Sequence, residues 1–171
     1  MPGASNGLNK DGEKEERYRS GGAANDPDYE KQVWFELDMG GSNLRIMGTP
    51  IFNYKFLTKL YFNNNKLRSV PPEIGRLKHL LLLDLSLNEI TELPPQMGML
   101  VNLKELLLFD NQIDALPYEL GNLFQLEMLG VEGNPLIEEQ KSIVMEEGSG
   151  ALIKYLRETA PGTCRAEAFQ W

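Results

Sequence analysis

A chain of 171 residues has room for one domain with flanking segments. Its formal net charge of −8 argues against a nucleic-acid surface, which should be basic. Cys164 is the only cysteine, so no internal disulfide can form and a reducing compartment is the default. No apolar run approaches the ~18 residues that span a membrane, and the first residues lack the positive region and apolar core of a secretory signal.

Residues 1–32 are polar, with a mixed-charge run from Lys10 to Arg19 and then Gly21-Gly22-Ala23-Ala24-Asn25-Asp26-Pro27. That composition predicts a disordered or weakly helical lead-in. From residue 33 the chain changes character. Residues 33–56 read as a worn copy of a pattern that becomes explicit further on: Leu37, Met39, Ser42, Leu44 and Ile51 each fall 23 residues before Leu60, Phe62, Asn65, Leu67 and Ile74. Its strand is expected near Glu36–Met39, with Trp34 at the outer edge.

The pattern itself is carried by four series in one register. Asn65, Asn88, Asn111 and Asn134 are 23 apart (88 − 65, 111 − 88, 134 − 111). Pro71, Pro94 and Pro117, then Gly75, Gly98 and Gly121, then Leu77, Leu100 and Leu123 keep the same step. A period of this length with alternating leucines is a leucine-rich repeat. In the unit beginning at Leu80, Leu83 and Leu85 alternate and so share one face of a short strand. Asn88 follows where the chain must turn inward, and its amide can both donate to and accept from turn backbone. Asn65, Asn88, Asn111 and Asn134 are therefore the expected structural ladder. Ile90, Leu93, Met97, Leu100 and Leu103 line the return path. Each return segment spaces apolar residues as a short helical or 3₁₀ turn would. Proline suits its start, and glycine is read at its end as a residue for which positive φ is cheap.

No single unit can bury such a set alone, so stacked units share a continuous core. After Asn134-Pro135-Leu136 the period stops. Ile143, Val144, Leu152, Ile153, Tyr155 and Leu156 have helical spacing, which predicts two helices near 137–146 and 149–158 closing the open end. The reading is an α/β leucine-rich repeat solenoid. Short parallel strands form the concave face, short helical or 3₁₀ turns and loops form the convex side, and a helical cap ends it. Repeats occupy 33–136, with 33–56 degenerate; the cap is 137–160, and 161–171 is an irregular tail.

The residues between the inward leucines should face outward on the concave side. They are Glu36 and Asp38; Lys59, Tyr61 and Asn63; Leu82, Asp84 and Ser86; Glu105, Leu107 and Phe109; Met128, Gly130 and Glu132. Tyr61, Leu82, Leu107, Phe109 and Met128 form an apolar group that the core does not require, with acidic side chains such as Asp84 and Glu105 around it. An apolar centre with a polar rim is how protein interfaces are built, in contrast to incidental surface apolarity. These seven residues are the expected partner-binding set. A second surface, on the convex and lateral side, is marked by Arg68, Arg76 and Lys78.

Catalytic readings find little support. His79 is the only histidine and is read as a solvent-facing residue of a return loop, and Cys164 as a free thiol. The carboxylates show no metal-ligand spacing. No catalytic, cofactor-binding or metal residue is expected.

The run Leu103-Lys104-Glu105-Leu106-Leu107-Leu108-Phe109-Asp110-Asn111-Gln112-Ile113 is followed by Leu116-Pro117-Tyr118-Glu119-Leu120-Gly121-Asn122-Leu123, and then by Phe124 through Leu136. With Leu152-Ile153-Lys154-Tyr155-Leu156-Arg157 after it, it closely resembles the leucine-rich domain of the carbon catabolite repressor deadenylase, particularly the fungal form. The resemblance covers roughly residues 34–160. It implies a cytoplasmic and nuclear docking module of the CCR-NOT complex, which shortens mRNA poly(A) tails. The implied partners are a Caf/Pop-type nuclease and other subunits, with no membrane and no direct nucleic-acid contact. In that family a magnesium-dependent nuclease domain follows the repeats, whereas this chain ends at Trp171 without counterparts of the catalytic residues, so no enzyme activity and no cofactor are expected of it. The generic repeat is shared with free-standing intracellular scaffolds of the Ras-associated type, which is the alternative reading.

Overall fold

The computed structural model describes residues 17–20 and 34–161. Residues 10–16 of the mixed-charge run, the Gly21–Pro27 stretch, Cys164 and the expected tail beyond 161 lie outside those residues. So does the side chain of Trp34.

Six strands make one sheet in chain order: β1 Arg17–Ser20, β2 Trp34–Asp38, β3 Lys59–Tyr61, β4 Leu82–Asp84, β5 Glu105–Leu107 and β6 Met128–Gly130. β2 to β6 are parallel, and every pairing keeps the step of 23: Leu37 lies beside Leu60, Leu60 beside Leu83, Leu83 beside Leu106 and Leu106 beside Leu129. The inward leucines therefore stack in a column. Leu60, Leu83 and Leu106 have no solvent exposure, nor do Phe62, Leu85 and Leu108 two residues on.

β1 departs from the sequence expectation. Four residues of the segment read as disordered or weakly helical pair antiparallel with β2, Tyr18 lying beside Leu37. The physical reason is the edge. The first parallel strand would otherwise leave a row of backbone groups unpaired, and a short strand on it needs no buried side chains. β2 also begins two residues earlier than expected, at Trp34, which pairs with Ser20 of β1.

The return path of each repeat is a five-residue 3₁₀ turn: Thr49–Asn53, Pro72–Arg76, Pro95–Met99 and Tyr118–Asn122. Pro71, Pro94 and Pro117 precede the last three in extended conformation. The worn first repeat keeps its turn but packs it differently. Phe52 is buried, whereas Ile51 and Met39 are only half-buried.

The sequence expectation of positive φ along the glycine row does not hold. Gly75, Gly98 and Gly121 have ordinary backbone angles. They are needed because successive turns touch. A Cβ on Gly75 would sit 2.8 Å from the Gln96 carbonyl oxygen, and one on Gly121 would sit 2.6 Å from the Arg157 nitrogen. A Cβ on Gly98 would collide with the Glu119 carbonyl.

Two helices close the far end, α1 Glu138–Glu147 and α2 Ser149–Thr159, close to the expected bounds. Leu152, Ile153 and Leu156 complete the core. The cap also supplies polar partners that a further repeat would have provided. Gln140, almost fully buried, accepts from the Leu116 N–H (2.8 Å) and donates to the Leu116 carbonyl (3.1 Å). Ser149 donates to the Leu129 carbonyl (2.8 Å), and Arg157 Nε donates to the Gly121 carbonyl (2.8 Å). No helix among the described residues is long and apolar enough to cross a membrane.

Candidate docking face

The asparagine ladder holds the open face in register. Asn88 Nδ2 donates to the Phe62, Leu85 and Ser86 carbonyls (2.9, 2.9 and 3.2 Å), and its Oδ1 accepts from the Leu67 N–H (3.0 Å). Each amide thus stitches its own turn to the preceding repeat. Asn111 repeats the pattern on Leu85, Leu108, Phe109 and Ile90, and Asn134 on Leu108, Val131 and Ile113. Asn65 accepts from both Ser42 and Leu44 N–H groups (3.1 and 2.9 Å). Ser42, at the equivalent position of the worn repeat, reaches only the nearby Gly40 carbonyl.

On the face opposite the core the residues form three rows across the strands. The first is Glu36, Lys59, Leu82, Glu105 and Met128, and the second is Asp38, Tyr61, Asp84, Leu107 and Gly130. The third, two residues past the strand ends, follows the same step of 23: Gly40, Asn63, Ser86, Phe109 and Glu132. All seven expected partner-binding residues lie in these rows. Tyr61, Leu82, Asp84, Glu105, Leu107 and Phe109 are half-buried, and Met128 is exposed at 52%.

Three details differ from the sequence reading. First, charge and apolarity interleave: Asp84 sits between Tyr61 and Leu107, and Glu105 between Leu82 and Met128. The carboxylates are within the apolar group and not only around it. Second, Gly130 is covered, because the Phe109 ring occupies the space its Cβ would need. Phe109 is thereby partly used by the fold. Third, Ser86 is buried and its hydroxyl has no hydrogen-bond partner, so it offers nothing to a ligand approaching the face.

The acidic end forms a shallow depression of about 370 Å³ lined by Glu36, Asp38, Gly40, Gly41, Tyr61, Asn63 and Asn64. The Tyr61 phenol is held above its ordinary pKa of 10.0, first by burial and then by Glu36, Glu105, Asp38 and Asp84. Four carboxylates from three strands thus act on one hydroxyl. Only Lys59 answers them in the rows, 3.7 Å from Glu36.

Elsewhere, His79 is exposed as expected but stacks on Phe56, with centroids 6.0 Å apart. Arg68 of the lateral set is engaged with Glu89 at 3.2 Å. Gln140, absent from the sequence reading of the site and the ladder, is the polar end-piece of the stack. Its signal was a glutamine among the first residues after the last repeat.

The leucine rich repeat family matches residues 56–113. The CCR4-Not complex 3'-5'-exoribonuclease subunit Ccr4 of Aspergillus clavatus is 66% identical over 131 residues, which is 77% of this chain and 20% of that protein. Ccr4 of Emericella nidulans is 64% identical over 141 residues, 82% of this chain and 21% of that protein. The chain thus spans about a fifth of the length of the curated relatives it matches. Among solved structures, a leucine-rich repeat protein of Leptospira interrogans aligns with a TM-score of 0.57 and 35% identity, over 57% of this chain and 25% of that one. The BIR2 ectodomain of Arabidopsis thaliana aligns with a TM-score of 0.57 and 27% identity, over 61% and 57%.

Proposed function

We propose that this chain, 66% identical over 131 residues to the Ccr4 subunit of Aspergillus clavatus, is a docking module of the CCR4-Not deadenylation machinery, and that its open sheet face holds a Caf/Pop-type nuclease. The observation that carries the reading is the composition of that face. Tyr61, Leu82, Leu107 and Met128 lie on four successive strands with no role in the core, and Asp84 and Glu105 stand between them. Large apolar side chains with interspersed charge are what a stable but soluble interface presents. The interleaved carboxylates fit a partner surface that alternates basic and apolar groups. Other subunits of the complex would be brought together through the same module, in the cytoplasm and the nucleus. The module's part is positioning; the exoribonuclease activity in the relatives' name is not assigned to these residues.

A pull-down tests this. The immobilised 171-residue chain should retain the nuclease, and a Tyr61→Ala, Met128→Ala double variant that melts like the parent should lose it. Truncating one anchor often costs about 2 kcal/mol or more. Failure of the parent to bind at high micromolar concentration would refute the partner, and undiminished binding by the double variant would refute the face.

A further inference from the structure

After each parallel strand one position of the turn lies in the left-handed region, again at steps of 23: Gly41 (φ 64°), Asn64 (56°), Leu87 (56°), Asp110 (51°) and Gly133 (78°); the first turn adds Asn43 (58°). Glycine, asparagine and aspartate tolerate this conformation; leucine does not, because its Cβ crowds the following carbonyl and it has no side-chain polar group to compensate. The backbone at Leu87 cannot relax. Its N–H donates to the Phe109 carbonyl (2.8 Å), its carbonyl accepts from the Asn65 N–H (3.1 Å), and the next residue is the ladder amide Asn88. Nor does burial explain the choice, since the side chain is 51% exposed. Leu87 therefore combines backbone strain with an apolar group in water, at a position where the neighbouring repeats use residues that avoid both.

We propose that Leu87 is a docking knob. It enters an apolar pocket rimmed by basic side chains on the protein held by the open face. The inference rests on the docking reading above and adds a residue beyond the strands to it. Two observations fix the partner's chemistry. Leu87 adjoins the apolar group along the backbone, its N–H donating to the carbonyl of Phe109. Carboxylates flank it in the chain and the stack: Asp110 occupies the equivalent position of the next repeat, Asp84 lies three residues before, and Glu89, two residues on, is shared with Arg68. Strain retained at an exposed site is characteristic of binding surfaces, where a ligand contact offsets it.

The test uses the full 171-residue chain, the Caf/Pop-type nuclease and the variants Leu87→Asn and Leu87→Met. Leu87→Asn installs the residue type of Asn64, relieving strain while removing the apolar group. Its urea midpoint should rise while its Kd for the nuclease weakens about tenfold or more, equivalent to roughly 1.4 kcal/mol. Leu87→Met keeps an apolar side chain of similar volume and should bind within about threefold of the parent. The opposite signs of the two Leu87→Asn effects separate docking from a structural role. If the parent binds and Leu87→Asn binds equally well, the knob is refuted while the docking reading stands. If Leu87→Asn melts earlier than the parent, packing accounts for the leucine and the proposal fails. If the parent does not bind the nuclease, the docking reading fails and takes this proposal with it.

Discussion

At the scale of single residues, the ladder amides are where sequence and energetics meet most directly. Asn88 and Asn111 are nearly fully buried, and each joins its own turn to the repeat before it. Asn88→Ala or Asn111→Ala would strand buried carbonyls and one N–H, so each should cost about 1–3 kcal/mol in urea melts. Leu85→Ala should cost about 2–5 kcal/mol through its cavity. Tyr61 gives a prediction in pH. Its folded-state pKa is raised, so the protein binds that proton more tightly folded than unfolded. The contribution is fully present below the unfolded value near 10.0, and is lost as pH rises from there through the folded value. A 295 nm absorbance titration of parent against Tyr61→Phe should show a late-ionising phenol. Glu36→Gln should bring its midpoint down; an unshifted midpoint would mean that Glu36 does not act on it.

At the scale of the element, the turns and the cap carry the predictions. Gly98→Ala drives a methyl group into the Glu119 carbonyl of the next turn, and should destabilise by about 1–3 kcal/mol with no change of backbone angle required. Gln140→Ala leaves both polar groups of Leu116 unpaired and should cost about 1–3 kcal/mol. A loss of only a few tenths in either variant would place the stabilising contacts elsewhere. The strands, turns and ladder were legible because a strict step of 23 repeats the same environment several times. What sits at the ends was less so. β1 arises from an edge that needs a partner, a demand no local pattern announces. The glycine row was visible but its cause was not, since close approach between turns depends on residues about 21 positions apart: Gly75 on Gln96, and Gly98 on Glu119. Leu87 was legible in principle, for Gly41, Asn64, Asp110 and Gly133 mark its row as left-handed.

At the scale of the molecule, one continuous core runs from Leu37 to Leu156, and both ends of the sheet are covered, by β1 on one side and by α1 and α2 on the other. The face left without a covering layer is the one carrying Tyr61, Leu82, Asp84, Glu105, Leu107 and Met128. Several large apolar side chains elsewhere are more exposed, among them Phe124 at 70% and Met145 at 75%. Exposure alone therefore does not single out the docking face; its position on successive strands does. Hydroxyl-radical footprinting of the chain with and without the Caf/Pop-type nuclease tests this most directly, because it reads side-chain accessibility at all these positions at once. The account predicts that the nuclease protects Tyr61 and Met128 while Phe124 and Met145 stay as reactive as in the free chain. Protection of Phe124 or Met145 with Tyr61 and Met128 unchanged would contradict it.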